Sequence, residues 1–135
     1  MSVLGLDHWA ITVVSIERSI AFYRGLLGCD VLYEDLWRRG TLPIVSLRIG
    51  ANVINVHEAG SEASPHAAKP TPGSGDFCMR WDAPLEEAVA LLEAKGVAIV
   101  EGPVPRPAAD GEVGRSVYFR DPDDNLVEFL STVSA

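Results

Sequence analysis

The chain has 135 residues, 47% of them hydrophobic and 22% charged, with a formal net charge of −8. That length suits one domain rather than two, and no stretch approaches the ~20 consecutive apolar residues of a membrane span. The eleven basic residues form no run longer than Arg38-Arg39, which argues against a nucleic-acid partner, since binding one needs a concentrated basic face.

The opening MSVLGLDHWAITV lacks both the basic flank and the long apolar core of a secretory signal, so the sequence points to the cytoplasm. In that reducing compartment Cys29 and Cys78 are expected to stay unpaired, as small buried fillers.

LDHWAITVV reads as a strand, and SIERSIAFYRGLLG as a helix. Ser15 stands at its cap, Ile16, Ile20, Phe22, Tyr23, Leu26 and Leu27 recur at helical spacing, and Gly28 stops it. Phe22 and Tyr23 are expected to pack this helix on a sheet. DVLYEDLW, LPIVSLRIG and ANVINVHE follow as three strand-like runs separated by turn residues, so the first module (4–58) is β-α-β-β-β.

AGSEASPHAAKPTPGSG, residues 59–75, has no periodicity and is read as a linker or surface loop, with His66 exposed in it. The pattern then repeats over 76–132. DFCMRWD reads as a strand, PLEEAVALLEAKG as a helix, and VAIVEG, RSVYFRD and NLVEFLS as strands. GPVPRPAADGEVG, rich in Pro and Gly, is expected to be an irregular loop over a site, and RDPDDN a tight turn that aims the last strand. The expected fold is α+β: two βαβββ modules in one domain, whose curved mixed sheets pair around a shared concavity.

Polar residues that interrupt apolar strands are the ones such sheets can aim into the hollow. They are His8 in the first strand, Asn55 and His57 in the fourth, Asp76 in the fifth and Glu128 in the eighth. Asn55 and His57 lie two apart and share a face, with Ile54 and Val56 on the other. Each taken singly fits an ordinary half-buried or solvent-facing residue. Taken with the repeat, a divalent metal accounts for the group better, because imidazole nitrogen and carboxylate oxygen are its usual ligands and its charge offsets that of a buried carboxylate. No phosphate-binding loop or nucleophile motif is present.

The β-α-β-β-β repeat, the opening LDHWAITVVSIERSIAFYRGLLG and the closing VYFRDPDDNLVEFLS resemble the vicinal oxygen chelate superfamily, which includes glyoxalase I, extradiol dioxygenases and the fosfomycin and bleomycin resistance proteins. NVHE, KPTPGSGD and SVYFRDPDDNLVEF further resemble small glyoxalase-domain-containing proteins of mostly unassigned substrate. The resemblance implies a glyoxalase-like fold around a metal-binding cleft, with ligands from the first, fourth, fifth and eighth strands. By position these are His8 and Glu128, with Asp76 where the family characteristically has His and Asn55, a poor ligand, in the fourth strand. His57, two residues on and on the same face, restores a second imidazole.

The expected metal set is therefore His8, His57 and Glu128, with Asp76 and Asn55 as additional ligands or supports of the ligands. Zn, Ni, Mn or Fe(II) all accept these donors. The resemblance implies a glyoxalase I-like lyase or isomerase acting on a small substrate with vicinal oxygens through a metal-stabilised enolate, with Glu128 or Asp76 moving the proton. Two other functions stay open: an Fe(II) extradiol-type dioxygenase, and a non-catalytic drug-binding dimer like the bleomycin resistance proteins. Such binders lack the metal constellation, so retention of His8 and Glu128 favours an enzyme. The family commonly dimerises, which implies a homodimer.

Overall fold

A computed structural model describes residues 2–135. The chain divides into two compact units, one ending at Ser74 and the other beginning at Gly75. No helix among the described residues is long and apolar enough to cross a membrane.

The first unit runs β1 (His8–Val13), α1 (Ile16–Leu27), β2 (Val31–Leu32), α2 (Glu34–Arg38), β3 (Ile44–Ile49) and β4 (Asn52–Glu58). Its four-stranded sheet has the order β1-β4-β3-β2, with β1 parallel to β4 and the other pairs antiparallel. A parallel pair requires a crossover, and α1 lies in the connection between them. The Ser15 side chain accepts from the Arg18 amide at the start of α1, and Gly28 at its end takes a left-handed conformation that a side chain would disfavour. Glu58, from the end of β4, accepts from the Ile16 amide at 3.0 Å and so supplies a second cap from across the sheet. The core is the set that period-two alternation places on one sheet face, Ile11, Val13, Val45, Leu47, Ile54 and Val56, with Ile16, Ile20, Tyr23 and Leu26 of α1.

The second unit runs β5 (Asp76–Arg80), α3 (Leu85–Ala94), β6 (Ile99–Pro107), β7 (Val113–Arg120) and β8 (Leu126–Ser131). Its sheet has the order β5-β8-β7-β6, again with a parallel pair, β5 and β8, separated in sequence by a helix. Met79, Val117, Phe119, Val127 and Phe129 are buried with Leu85, Ala88 and Leu92 of α3. The fold is thus α+β, two four-stranded mixed sheets with three helices.

Two segments depart from the sequence reading. DVLYEDLW forms only the two-residue strand β2 and then the helix α2, in which Glu34 and Arg38, four apart, form an ion pair at 2.7 Å. Residues 102–107, expected as irregular loop, continue β6 to Pro107. β6 is an edge strand, and Pro103, Pro105 and Pro107 fall on alternate residues, where the missing amide hydrogens face away from β7. Gly102 interrupts the ladder at a register shift, and a side chain there would strike the Ser116 carbonyl.

The RDPDDN turn behaves as read. Asp121, buried, accepts from the amides of Asp123 and Asn125 at 2.9 and 3.0 Å and from the Asn125 side chain at 2.8 Å. Asn125 in turn accepts from the Gly75 amide at 2.7 Å, which ties the entry of β5 to the turn before β8. Even an alanine at Gly75 would meet the Asn125 side-chain oxygen at 2.8 Å.

Candidate functional site

With α1 covering one face of the first sheet, its alternation leaves His8, Ala10 and Thr12 of β1 and Asn55 and His57 of β4 on the other. Ala10, Asn55 and Ser46 stand side by side on β1, β4 and β3, and Thr12, His57 and Ile44 form the next row. All of these but the buried Ser46, together with His8, line a concavity of about 490 Å3 that the loop after β4 closes on one side with Pro65 and His66. All three histidines of the chain line it.

Hydrogen bonds set the tautomer of each ring. His8 Nδ1 lies 2.7 Å from the Asp7 carboxylate, which only accepts, so Nδ1 carries the proton and the neutral ring keeps its lone pair on Nε2. His66 Nδ1 lies 2.8 Å from the Ala67 carbonyl oxygen, with the same result. His57 is the reverse. Its Nδ1 accepts from the Ala63 amide at 3.3 Å, so the neutral ring carries its proton on Nε2. Burial, and then the neighbouring His66, push the His57 pKa below its ordinary value, while Glu62 pulls the other way. Asn55 accepts the Ser46 hydroxyl on Oδ1 at 2.7 Å, which leaves its NH2 as the uncommitted group.

On the second sheet Asp76, Cys78 and Arg80 of β5 and Leu126, Glu128 and Leu130 of β8 share the face opposite Met79, Val127 and Phe129. Asp76 is exposed and Glu128 half-buried. Glu128 stands opposite Cys78 on one side and Tyr118 on the other, and it accepts a short hydrogen bond from the Ser116 hydroxyl. It lines a hollow of about 260 Å3 with Cys78 and Arg80, and one of about 400 Å3 with Tyr118 and Arg106. Arg106 Nε donates to the Tyr118 hydroxyl at 2.8 Å, and its guanidinium lies over the Tyr118 ring. Both cysteines are free, as expected, but they are not buried fillers. Cys29 is half-buried and Cys78 exposed, because alternation along β5 gives the core side to Met79.

The structure places His8, Asn55 and His57 around one concavity of the first unit, and Asp76 and Glu128 on the open face of the second. Among the described residues no group of three His, Cys, Asp or Glu is gathered closely enough to hold a metal ion. Taken donor by donor, hydrogen bonding separates the candidates. His8 presents a free Nε2 lone pair and fits a divalent ion, its Nδ1 held by a carboxylate as is usual for a ligating histidine. Glu128 fits as a carboxylate donor oriented by Ser116. His57 does not fit through Nε2, which carries a proton, and the Asn55 carbonyl is already engaged by Ser46. The supporting residues Asp7, Ser46, Ala63 and Ser116 escaped the sequence reading. Only Asp7, adjacent to His8 in LDHW, carried any local signal.

Two units, each a four-stranded mixed sheet with one face covered by a helix and polar residues on the other, define a two-module α+β protein. Residues 5–129 match the Glyoxalase/Bleomycin resistance protein/Dioxygenase superfamily, and the chain belongs to it. It is 40% identical over 128 residues, 95% of this chain and 84% of the relative, to Virulence protein STM3117 of Salmonella typhimurium. The crystal structure of that protein superposes with a TM-score of 0.87 at 36% identity, covering 98% of this chain and 100% of the other. The Glyoxalase domain-containing protein RDO1 of Mycosarcoma maydis is 38% identical over 131 residues, 97% of this chain and 70% of the relative. A lactoylglutathione lyase from Agrobacterium tumefaciens shares the fold, with a TM-score of 0.72 at 22% identity over 98% of this chain and 96% of the other.

Proposed function

We propose that the protein is an enzyme of the lyase or isomerase type, which moves a proton on a small substrate bearing neighbouring oxygen atoms. The observation that carries this reading is His8, whose Nδ1 is held by Asp7 and whose Nε2 lone pair is free at a concavity of small-molecule size. Members of the superfamily commonly use a divalent metal. Each unit offers donors that such an ion would use, His8 an imidazole nitrogen in the first and Glu128 and Asp76 carboxylate oxygens in the second. When bound, such an ion would supply Lewis-acid polarisation of the substrate's oxygens.

The chain's own residues supply the rest. Glu128 accepts the substrate proton on a carboxylate whose other oxygen is occupied by the Ser116 hydroxyl, so one oxygen works while the other is fixed. Asp7 keeps His8 in one tautomer and prevents its ring from turning. The protein acts as a homodimer, a reading supported by the frequency of dimers in the superfamily.

Metal analysis of purified protein beside His8→Ala and Glu128→Ala tests the assignment. Both variants should lose most of the bound ion, and unchanged metal content in both would overturn the site. Loss of a dicarbonyl–thiol adduct's absorbance without oxygen uptake on a catechol panel then supports the lyase or isomerase reading. Catechol-dependent oxygen uptake after Fe(II) loading would replace it with a dioxygenase.

A further inference from the structure

We infer that His57 is a substrate hydrogen-bond donor rather than a metal ligand. With Asn55 it offers two N–H groups that hold the oxygen atoms of a small carbonyl- or carboxylate-bearing ligand in the first unit's concavity. This rests on the proposed small-molecule function of that concavity and names which of its groups meets the ligand, and through which atoms.

The geometry leaves His57 little choice. A backbone amide can only donate, so the Ala63 N–H, 3.3 Å from His57 Nδ1, requires a lone pair there and a proton on Nε2. Ligation through Nε2 would move the proton to Nδ1, set two donors against each other, and leave the Ala63 amide without its partner. Asn55 reaches the same outcome by another route. Its Oδ1 takes the Ser46 hydroxyl, and the amide NH2 remains for a ligand. The two residues are alternate positions of β4 on one face, about 6.6 Å apart along the strand, and both line the same concavity.

His8 and His66 line the same concavity with the opposite tautomer, a lone pair on Nε2. The pocket thus mixes acceptor nitrogens with two donor groups, the pattern expected for a ligand that carries both oxygen acceptors and a hydroxyl. A hydroxy-ketone, a hydroxy-acid or its enol meets that pattern; an aromatic cation does not. The loop of residues 59–75 sets the donor as well as covering it, since Ala63 fixes His57 while Pro65 and His66 form the wall.

The test uses the full chain labelled with 15N-histidine and freed of metal. Long-range imidazole correlation spectra distinguish Nδ1–H from Nε2–H rings, and His8→Gln, His57→Gln and His66→Gln assign the three signals. His57 should show the Nε2–H tautomer and His8 and His66 the Nδ1–H form; a His57 ring protonated on Nδ1 would overturn the inference. Ala63→Pro, which removes the amide hydrogen and adds a ring that fixes the local backbone, should lower the Nε2–H to Nδ1–H ratio of His57 about fivefold, the worth of one ordinary hydrogen bond.

Pyruvate, glycolate and dihydroxyacetone at millimolar concentration then probe the donor. At least one should shift the His57 Nε2–H resonance and lose affinity several-fold in His57→Ala, and no shift with any of them would overturn the donor role. Zinc added to the labelled protein should move the His8 signal and leave His57 protonated on Nε2. Loss of that proton on zinc binding would also overturn the inference. Zinc that disturbs no histidine would instead count against the metal in the proposed function and leave the His57 tautomer standing.

Discussion

Cys78 and Glu128 face each other in register on β5 and β8, and the thiol is pushed up to about 12, first by burial among neighbouring side chains and then by the carboxylate. Although Cys78 is exposed, it carries almost no thiolate at neutral pH. Alkylation by iodoacetamide at pH 8, followed by peptide mass spectrometry, should label it far more slowly than the unfolded chain. Glu128→Gln removes the second cause, lowers the thiol pKa, and should speed labelling several-fold. Equal rates in the two proteins would mean that the carboxylate does not act on the thiol.

Ser116→Ala removes the hydroxyl that holds one oxygen of Glu128. Losing the hydrogen-bonding partner of a ligating group typically costs about 10- to 100-fold in metal affinity. On the proposed assignment of Glu128 as a ligand, competition with a chromophoric chelator should show a loss in that range for Ser116→Ala, with the melting temperature little changed.

Asp121→Ala deletes the acceptor of two turn amides and of the Asn125 side chain, all in a buried site. The expected loss is about 3 kcal/mol, because the abandoned donors keep their desolvation penalty. Urea denaturation measures it, and Asp121→Asn should recover part of the loss by keeping one acceptor.

Ser15→Ala removes the side-chain cap of α1. Replacing such a cap typically costs ~1 kcal/mol. The bond from the Ile16 amide to Glu58 persists in this variant, so chemical denaturation should show a loss at the low end of the range for caps.

A pH effect follows from the surface ion pairs around α2. The Arg38 guanidinium beside Glu17, and those of Arg24 and then Arg38 beside Glu34, hold both carboxyls below the ordinary carboxylate range. A carboxylate lowered in the folded state contributes stability above its unfolded pKa and loses it as pH falls through the folded value. Arg38→Ala should therefore narrow the gap in stability between neutral pH and pH 3, and do so less in high salt. Parallel stability–pH curves for the two proteins would show that these exposed pairs contribute nothing.

Much of the fold was legible because its helices and core strands obey simple periods. Ser15, the Ile16-Ile20-Tyr23 stripe and Gly28 mark α1, and the alternation of Ile54 and Val56 with Asn55 and His57 marks β4. What escaped was decided by neighbours distant in sequence. The prolines at 103, 105 and 107 read as loop, and only the edge position of β6 makes them compatible with a ladder. DVLYEDLW reads as a strand on Val31, Leu32 and its aromatics, yet Glu34 meets Arg24 and Arg38, and EDLWR winds into a helix.

The site followed the same division. Which residues interrupt the strands was plain, but the proton position on each ring was not, because it is fixed by Asp7, Ala63 and Ala67 through hydrogen bonds that spacing does not encode. His57 looked like a ligand because histidine as a residue type permits it. The inference that it donates instead rests on a single backbone amide six residues away.

Asn55 on β4 and Glu128 on β8 occupy matched places in the repeat, the first beside Ala10 and opposite Ser46, the second beside Cys78 and opposite Tyr118. Each accepts a serine hydroxyl, from Ser46 directly across the ladder in one case and diagonally from Ser116 in the other. One scaffold position thus carries an amide in the first half and a carboxylate in the second, a difference of NH2 against O and of one methylene. The two halves thus part at one matched place, where the same serine contact holds a neutral amide in the first and an acidic side chain in the second.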